Sequence, residues 1–298
     1  MTIKITWKTT PEVSALHAAA ALSTGQAIVD RKLSDVIGQG VHAISDRLAV
    51  AEIEIDRFWN NLIAHHGRIK DDRGRVETAL LHSGCGEFAA DSIAPTISGH
   101  LADLKIAFFD AYPKISEQLP LRARVLTEQW EARGPGLMAV IGKLTHRDLI
   151  PKKATVTFLQ PALGGGGDVH PESGLAWIEA VLANPHQDLP EVVRLGWLLG
   201  RLSIGRKAAS KLVDAKRLPD LATLALLPIV LQAAREVELV GEIGVSELVE
   251  HWNVRRRHSA CDPQQLEQWW AQMVAGGTPF PVRLKALDKM IYDGTARN

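Results

Sequence analysis

Four places in the chain carry residues whose types and spacing can do chemistry. The first is Gly164-Gly165-Gly166-Gly167-Asp168-Val169-His170. Glycines after a strand can turn backbone N–H groups toward an anion, which makes Gly164, Gly165, Gly166 and Gly167 candidate ligand-binding residues. A phosphate loop needs Lys-Ser/Thr directly after its glycines, and here Asp-Val-His follows. Pro171 and Gly174 break the helix that a dinucleotide loop would open. A flexible hairpin loop is the plainer reading. The second place is the run Leu189 to Leu202, where Glu191, Arg194 and Arg201 share one stripe of an otherwise apolar helix. Charges on a buried helix need partners. The stripe is therefore an internal ion pair, or the wall of a cleft in which Glu191, Glu179, Arg194 and His170 are the candidate catalytic residues.

The third is a pair of matching tetrads, His82-Ser83-Gly84-Cys85 and His258-Ser259-Ala260-Cys261. On a helix, residues three apart share a face, so His82, Cys85, His258 and Cys261 could make one Cys2His2 metal site. Separation by more than 170 residues, and the habit of buried cysteine to act as a small apolar residue, weigh against it. His170 and His186, beside Glu179 or Glu191, form the other metal-like grouping, at a spacing that fits no motif. No cofactor is expected. The fourth is Arg255-Arg256-Arg257-His258, with Trp252 before it and Trp269-Trp270 after it. Arginines among aromatics can hold nucleic acid, but solvated arginines closing a helix are the plainer expectation. There is no Gly-x-Ser-x-Gly, and neither cysteine sits in a nucleophile motif.

Composition narrows the classes. Lys plus Arg and Asp plus Glu number 34 each, so no net charge draws nucleic acid or an anionic membrane. Two cysteines in 298 residues do not build a disulfide scaffold. The first residues lack a secretory apolar core, and the run Ala18 to Leu22 is too short to be one. The longest apolar stretch, Leu221 to Ala234, contains Pro228 and falls short of the ~20 residues of a membrane helix. It reads as a buried helix, and the expected location is cytoplasmic.

The elements that must position these residues are mostly helical. Alternation of Ile3, Ile5 and Trp7 predicts a short strand over residues 2–8, and Thr10-Pro11-Glu12 predicts a helix start. Ser34 to His66 carries apolar residues at helical spacing, including Val50, Ile53, Phe58 and Leu62. Helices are expected near 75–92, 99–110 and 120–133, with a helix–helix corner at Arg133-Gly134-Pro135-Gly136. Ala154 to Leu163 predicts a strand, and Leu175 to Leu182 a strand or helix. Leu221 to Val240 is one helix or a proline-interrupted pair, and Asp262-Pro263 starts another. Five tryptophans, Trp59, Trp130, Trp177, Trp197 and Trp252, read as core; of Trp269 and Trp270, one is expected at the surface.

The order strand, glycine loop, second strand and long helix resembles the core of zincin-type metallopeptidases. There the helix carries His-Glu-x-x-His, with two histidines on zinc and the glutamate activating water. The matching frame here is Pro190-Glu191-Val192-Val193-Arg194, which keeps the glutamate and loses both ligands. The resemblance implies a relative without the metal chemistry, a pseudo-enzyme. It covers roughly 50 residues. The segments Gln129 to Gly136 and Ile178 to Pro185 also resemble stretches of bacterial proteins that bring no known activity with them.

The sequence therefore predicts a mainly α fold: one α-rich domain over residues 1–298, with a small β-sheet or hairpin near residues 154–182. Its parts are an N-terminal helical part (1–134), a central α/β part (135–205) and a C-terminal helical part (206–298). The expected function is a non-catalytic scaffold or protein-interaction role, with a protein partner or self-association. The alternative is a hydrolase-like enzyme using the 164–170 loop and the 189–202 helix.

Overall fold

Alternation along Lys4–Thr9 leaves Ile5 and Trp7 half-buried and the residues between them exposed, and this segment is strand β1. In the computed structural model, which describes residues 3–204, 212–258 and 262–295, six helices follow it. They are α1 (Pro11–Ser23), α2 (Arg31–Val50), α3 (Ile55–His65), α4 (Asp72–His82), α5 (Glu87–Ala111) and α6 (Ile115–Leu144). The central strands are β2 (Lys153–Leu159), β3 (Gly167–His170) and β4 (Leu175–Glu179). Helices α7 (Glu191–Ile204), α8 (Leu218–Glu236), α9 (Val245–His251), α10 (Pro263–Ala275) and α11 (Phe280–Thr295) complete the described chain. The fold is mainly α with one small sheet.

Local signals account for many of these boundaries. Asp30 and Asp262 accept backbone N–H bonds at the starts of α2 and α10, each such cap stabilising its helix by about 1 kcal/mol. On α2 the spacing of Leu33, Ile37, Val41, Ile44 and Leu48 makes one buried stripe. Val50 does not extend it. The helix ends there, the side chain is 83% exposed, and Glu52 turns the chain with a positive φ.

Two expected boundaries fail for identifiable reasons. The 75–92 helix is divided, because Gly84 adopts a φ of +99° after α4. The corner at Gly134-Pro135 is absent: α6 runs straight through it. Gly134 is not left-handed; its missing side chain makes room for Trp130, whose ring atom Cδ2 would lie 2.3 Å from a β-carbon there. Pro228 likewise sits inside a single α8. That helix is long and apolar enough to cross a membrane, but 78% of its apolar window is buried within the fold. Trp269 and Trp270 are both buried, since the Trp269 indole N–H donates to the Arg283 carbonyl and the Trp270 indole N–H to Gln232. The five tryptophans expected in the core are there.

The sheet order is β1-β2-β4-β3. β1, β2 and β4 run parallel, with Lys4 opposite Lys153 and Val156 opposite Ala176. β3 lies antiparallel on the edge beside β4, with Asp168 opposite Trp177. β2 and β4 are nearly wholly buried, as parallel strands covered by helices must be. Helix α7 packs on β3 and β4 and touches α6 and α8 on its other sides. A β-carbon on Gly196 would stand 2.5 Å from Leu137, so that glycine lets α6 and α7 approach closely. This explains an α7 that is apolar nearly all round: the helix is enclosed, and it carries the Glu191–Arg194–Arg201 stripe to the mouth of the sheet.

Candidate functional site

The glycine loop already holds an anion, and that anion is Glu179. The last residue of β4 is fully buried. Its Oε1 accepts the backbone N–H groups of Ala162 (2.9 Å) and Leu163 (2.8 Å), and its Oε2 accepts that of Gly165 (2.7 Å). His17 Nε2 on α1 lies 2.9 Å from Oε1. Burial alone would raise this carboxyl, but His17 and the loop N–H groups outweigh it and hold its pKa below the ordinary value. Gly165 has a φ of +135°, a conformation closed to other residues, and this aims its N–H inward. Ala162, Leu163 and Gly165 thus form a cradle for a side chain of the protein. In place of the expected flexible hairpin, the loop is closed around that carboxylate, while Gly165, Gly166 and Gly167 also line the cleft in front of it.

Glu191 and Arg194 are also turned into the structure, at 2% and 4% exposure. Asn184 Oδ1 accepts the backbone N–H of Glu191, fixing the first turn of α7. Arg194 donates to the Gly165 carbonyl at 2.8 Å, and its Nε lies 3.1 Å from Glu191 Oε2. The contact is an ion pair without hydrogen-bond alignment. Burial pushes the Glu191 carboxyl up, Arg194 opposes this, and nearby Glu179 adds to it. The frame from Pro190 to Arg194 therefore lies at the N-terminal turn of α7, sealing the glycine loop from behind. Three of the candidate catalytic residues, Glu179, Glu191 and Arg194, come together. His170 does not join them. It belongs to a different cluster, with its Nε2 3.4 Å from Asn61 Oδ1 and its Nδ1 3.0 Å from Ser173 Oγ.

In front of the loop is a cleft of about 730 Å3, between α1 and α3 on one side, α7 on another, and the turn from His251 to His258 across the front. Its floor is a lattice of ion pairs. Asp168 on β3 receives Arg201 NH2 at 2.9 Å, Arg257 NH1, and the backbone N–H of Val169 at 2.8 Å. Arg257 also reaches Asp56 on α3 at 3.1 Å. Arg256 grips the same Asp56 with two bonds of 2.9 Å, the fork-on-carboxylate geometry that guanidinium favours. Burial would raise the Asp168 carboxyl, but Arg257 and Arg201 hold it well below the usual range. Two of the three arginines of the 255–257 run are thus tied down by carboxylates. The run is a short turn after α9 and not the end of a long helix; Arg256 and Arg257 are paired with carboxylates, while Arg255 and Arg257 remain exposed. The guanidinium of Arg201 lies over the Trp197 ring at 4.6 Å, and the Trp197 ring meets Trp252 at 4.9 Å.

A second cleft, about 1050 Å3, opens on the other side of the Arg256–Arg257 turn and brings His82, His170 and His258 to one cavity. His65 Nε2 lies 3.1 Å from His82 Nδ1 at its margin. Burial lowers the pKa of His65 and of His170. The tetrad reading fails at its first half: α4 ends at His82, so Cys85 lies past the turn and shares no helix face with it. Cys261 lies outside the described residues. Among the described residues no three His, Cys, Asp or Glu side chains are placed to hold a metal. The His186 ring meets that of His251 at 4.2 Å, tilted by 46°.

Compared with models of known families, with curated proteins and with solved structures, the chain gave no match. The site is therefore read from its own geometry. Sequence reasoning quoted Asp168 and Arg201 without pairing them, and it missed Asp56, Trp59 and His17 as parts of the cleft. Asp168, in a glycine run and beside a strand, carried a usable signal, because a carboxylate there has to find a cation. Asp56 carried none; its partners lie 200 residues away.

Proposed function

We propose that this chain is a non-catalytic binding protein, of the pseudo-enzyme kind, whose first cleft holds a small molecule. The observation that carries this reading is the use made of Glu179. The group best placed to do acid–base work is committed to four donors and closed off from the cleft, while the cleft itself stays open and joins arginines to an apolar, tryptophan-lined wall. Its size falls within the ~300–1,000 Å3 of small-molecule sites. Such a role is compatible with the zincin-like order of elements, which we carry as part of the proposal, and with a cytoplasmic location. A scaffold role through a protein partner or self-association would use other surfaces.

One observation favours the hydrolase alternative. Glu179 and Glu191 are neighbouring carboxyls whose pKa values are pushed in opposite directions, as in acid–base pairs. Both are sealed from the cleft, which is why binding is preferred. The test is a thermal-shift screen of the purified protein against a panel of anionic, neutral and cationic small molecules, with mass spectrometry of each hit after long incubation. A hit recovered unchanged supports binding. Conversion of a hit, abolished by Glu191→Gln, would establish the hydrolase reading instead.

A further inference from the structure

The two clefts differ in charge, and the difference points to a ligand class. The wall of the first holds Arg194, Arg201 and the run Arg255 to Arg257 against two carboxylates, Asp56 and Asp168. The second holds four arginines against five carboxylates. Arg201, Arg256, Arg257 and both aspartates line both clefts, and Arg194 is paired with Glu191, so the excess cation of the first side rests on the 255–257 turn. Both carboxylates of the first cleft are saturated by guanidinium groups, so they offer a ligand no free acceptor. Hydrogen-bond donors are in surplus. Trp59 and Trp252, 1% and 8% exposed, belong to this wall, and their indole N–H groups are buried without a protein acceptor. Unpaired buried donors are uncommon in native proteins, and clustered excess guanidinium in a low-dielectric wall attracts anions far more than it would in water.

We infer that the first cleft is an oxyanion site, taking a small molecule through a carboxylate or phosphate group held by the Arg255–Arg257 turn and the indole N–H of Trp252. The inference rests on the binding reading above and narrows it to one chemistry. The anion lies on the glycine-loop side of the turn; the second cleft, with its balance of acids, repels it. Glu179 remains in its cradle, so the ligand is held by side chains and not by the glycine loop.

The test is a titration of the full chain, followed by thermal shift and calorimetry, with inorganic phosphate, phenyl phosphate and benzoate, and with benzamide as the uncharged counterpart of benzoate. Ionic strength is held constant. Two variants accompany it. Arg255→Glu alters an exposed side chain, and Trp252→Phe keeps the ring and removes the N–H. The expected result is saturable stabilisation by the anions and none by benzamide. Affinity should fall roughly tenfold or more in each variant, as like-charge contact and loss of a hydrogen bond to a charged group predict. Phosphate separates from benzoate if the site prefers the doubly charged group. Anion binding that survives both substitutions would put the anion elsewhere and overturn the assignment. Benzamide binding as well as benzoate would overturn the oxyanion class and leave the binding reading standing. If none of these probes and no member of the wider panel bound, both would fall.

Discussion

Replacing Glu179 by Gln tests the structural account of the glycine loop most directly. The carboxylate accepts three bonds at Oε1 and one at Oε2. In the best orientation the glutamine oxygen takes the first three, and its NH2 group then faces the N–H of Gly165. That bond is lost outright, at about 1.5–3 kcal/mol, and the other three weaken by about 1 kcal/mol each as the acceptor loses its charge. Relief from burying a charge offsets part of this. A net destabilisation of about 3–5 kcal/mol follows, the range seen when buried pairs are broken. For a chain of this length that corresponds to a fall in Tm of about 5–8 °C. Urea unfolding followed by tryptophan fluorescence and by far-ultraviolet circular dichroism measures it. The pH dependence gives an independent check. The folded pKa of Glu179 lies below its ordinary 4.5, so its stabilisation is complete above that value and is lost as pH falls through the folded pKa. Glu179→Gln removes this part of the acid sensitivity. A variant within about 1 kcal/mol of the wild type, with an unchanged acid limb, would refute the idea that the loop is built around this carboxylate.

Further outcomes follow from the same geometry. Asp168→Asn removes the buried carboxylate of the cluster, leaves Arg201 and Arg257 short of a counter-charge and should cost about 3–5 kcal/mol; adding Arg257→Gln should cost less than the sum of the two single changes, which a double-mutant cycle in urea reads. Gly167→Ala places a β-carbon 2.5 Å from the Trp177 carbonyl oxygen and 3.2 Å from the Ile178 Cα, so β3 must part from β4, and a loss of about 1–3 kcal/mol should appear in thermal unfolding. His65 and His170 are lowered from the ordinary 6.5 by burial. Their contribution is whole above that value and is lost as pH falls below it. The urea midpoint should therefore decline from about pH 6.5 downward, and His170→Asn should flatten the decline; an equal slope in the variant would exclude this histidine.

Much of the helical layout was legible, because caps and apolar stripes are local. Asp262-Pro263 and the α2 stripe are written within a single turn or two of sequence. Gly134-Pro135 misled, because a glycine that makes room for Trp130 and a glycine that ends a helix look identical until packing is known. At the site, the candidates on one stripe, Glu191 and Arg194, were found by periodicity. Their closeness to Glu179 followed from the strand order. What periodicity could not supply was direction. Whether Glu179 faces a ligand or fills the loop depends on the positive φ of Gly165 and on His17 arriving from 162 residues away. Long-range ion partners such as Asp56 and Arg256 leave no local trace at all.

The parallel pairing of β1 with β2 has a consequence for how the chain comes to be folded. Lys4 meets Lys153, so the first strand cannot be seated until about 150 residues have been made. At about 5–20 residues per second, synthesis leaves it waiting for about 7–30 seconds. Helices α1 to α6 can form in that interval from nearer contacts, while an unpaired strand bearing Ile5 and Trp7 stays exposed to any other strand edge in reach. Its alternating lysines, Lys4 and Lys8, serve as guards during that delay. Of the four strands, β1 is made earliest and waits longest for its neighbour, so mispairing during synthesis is expected first at its edge.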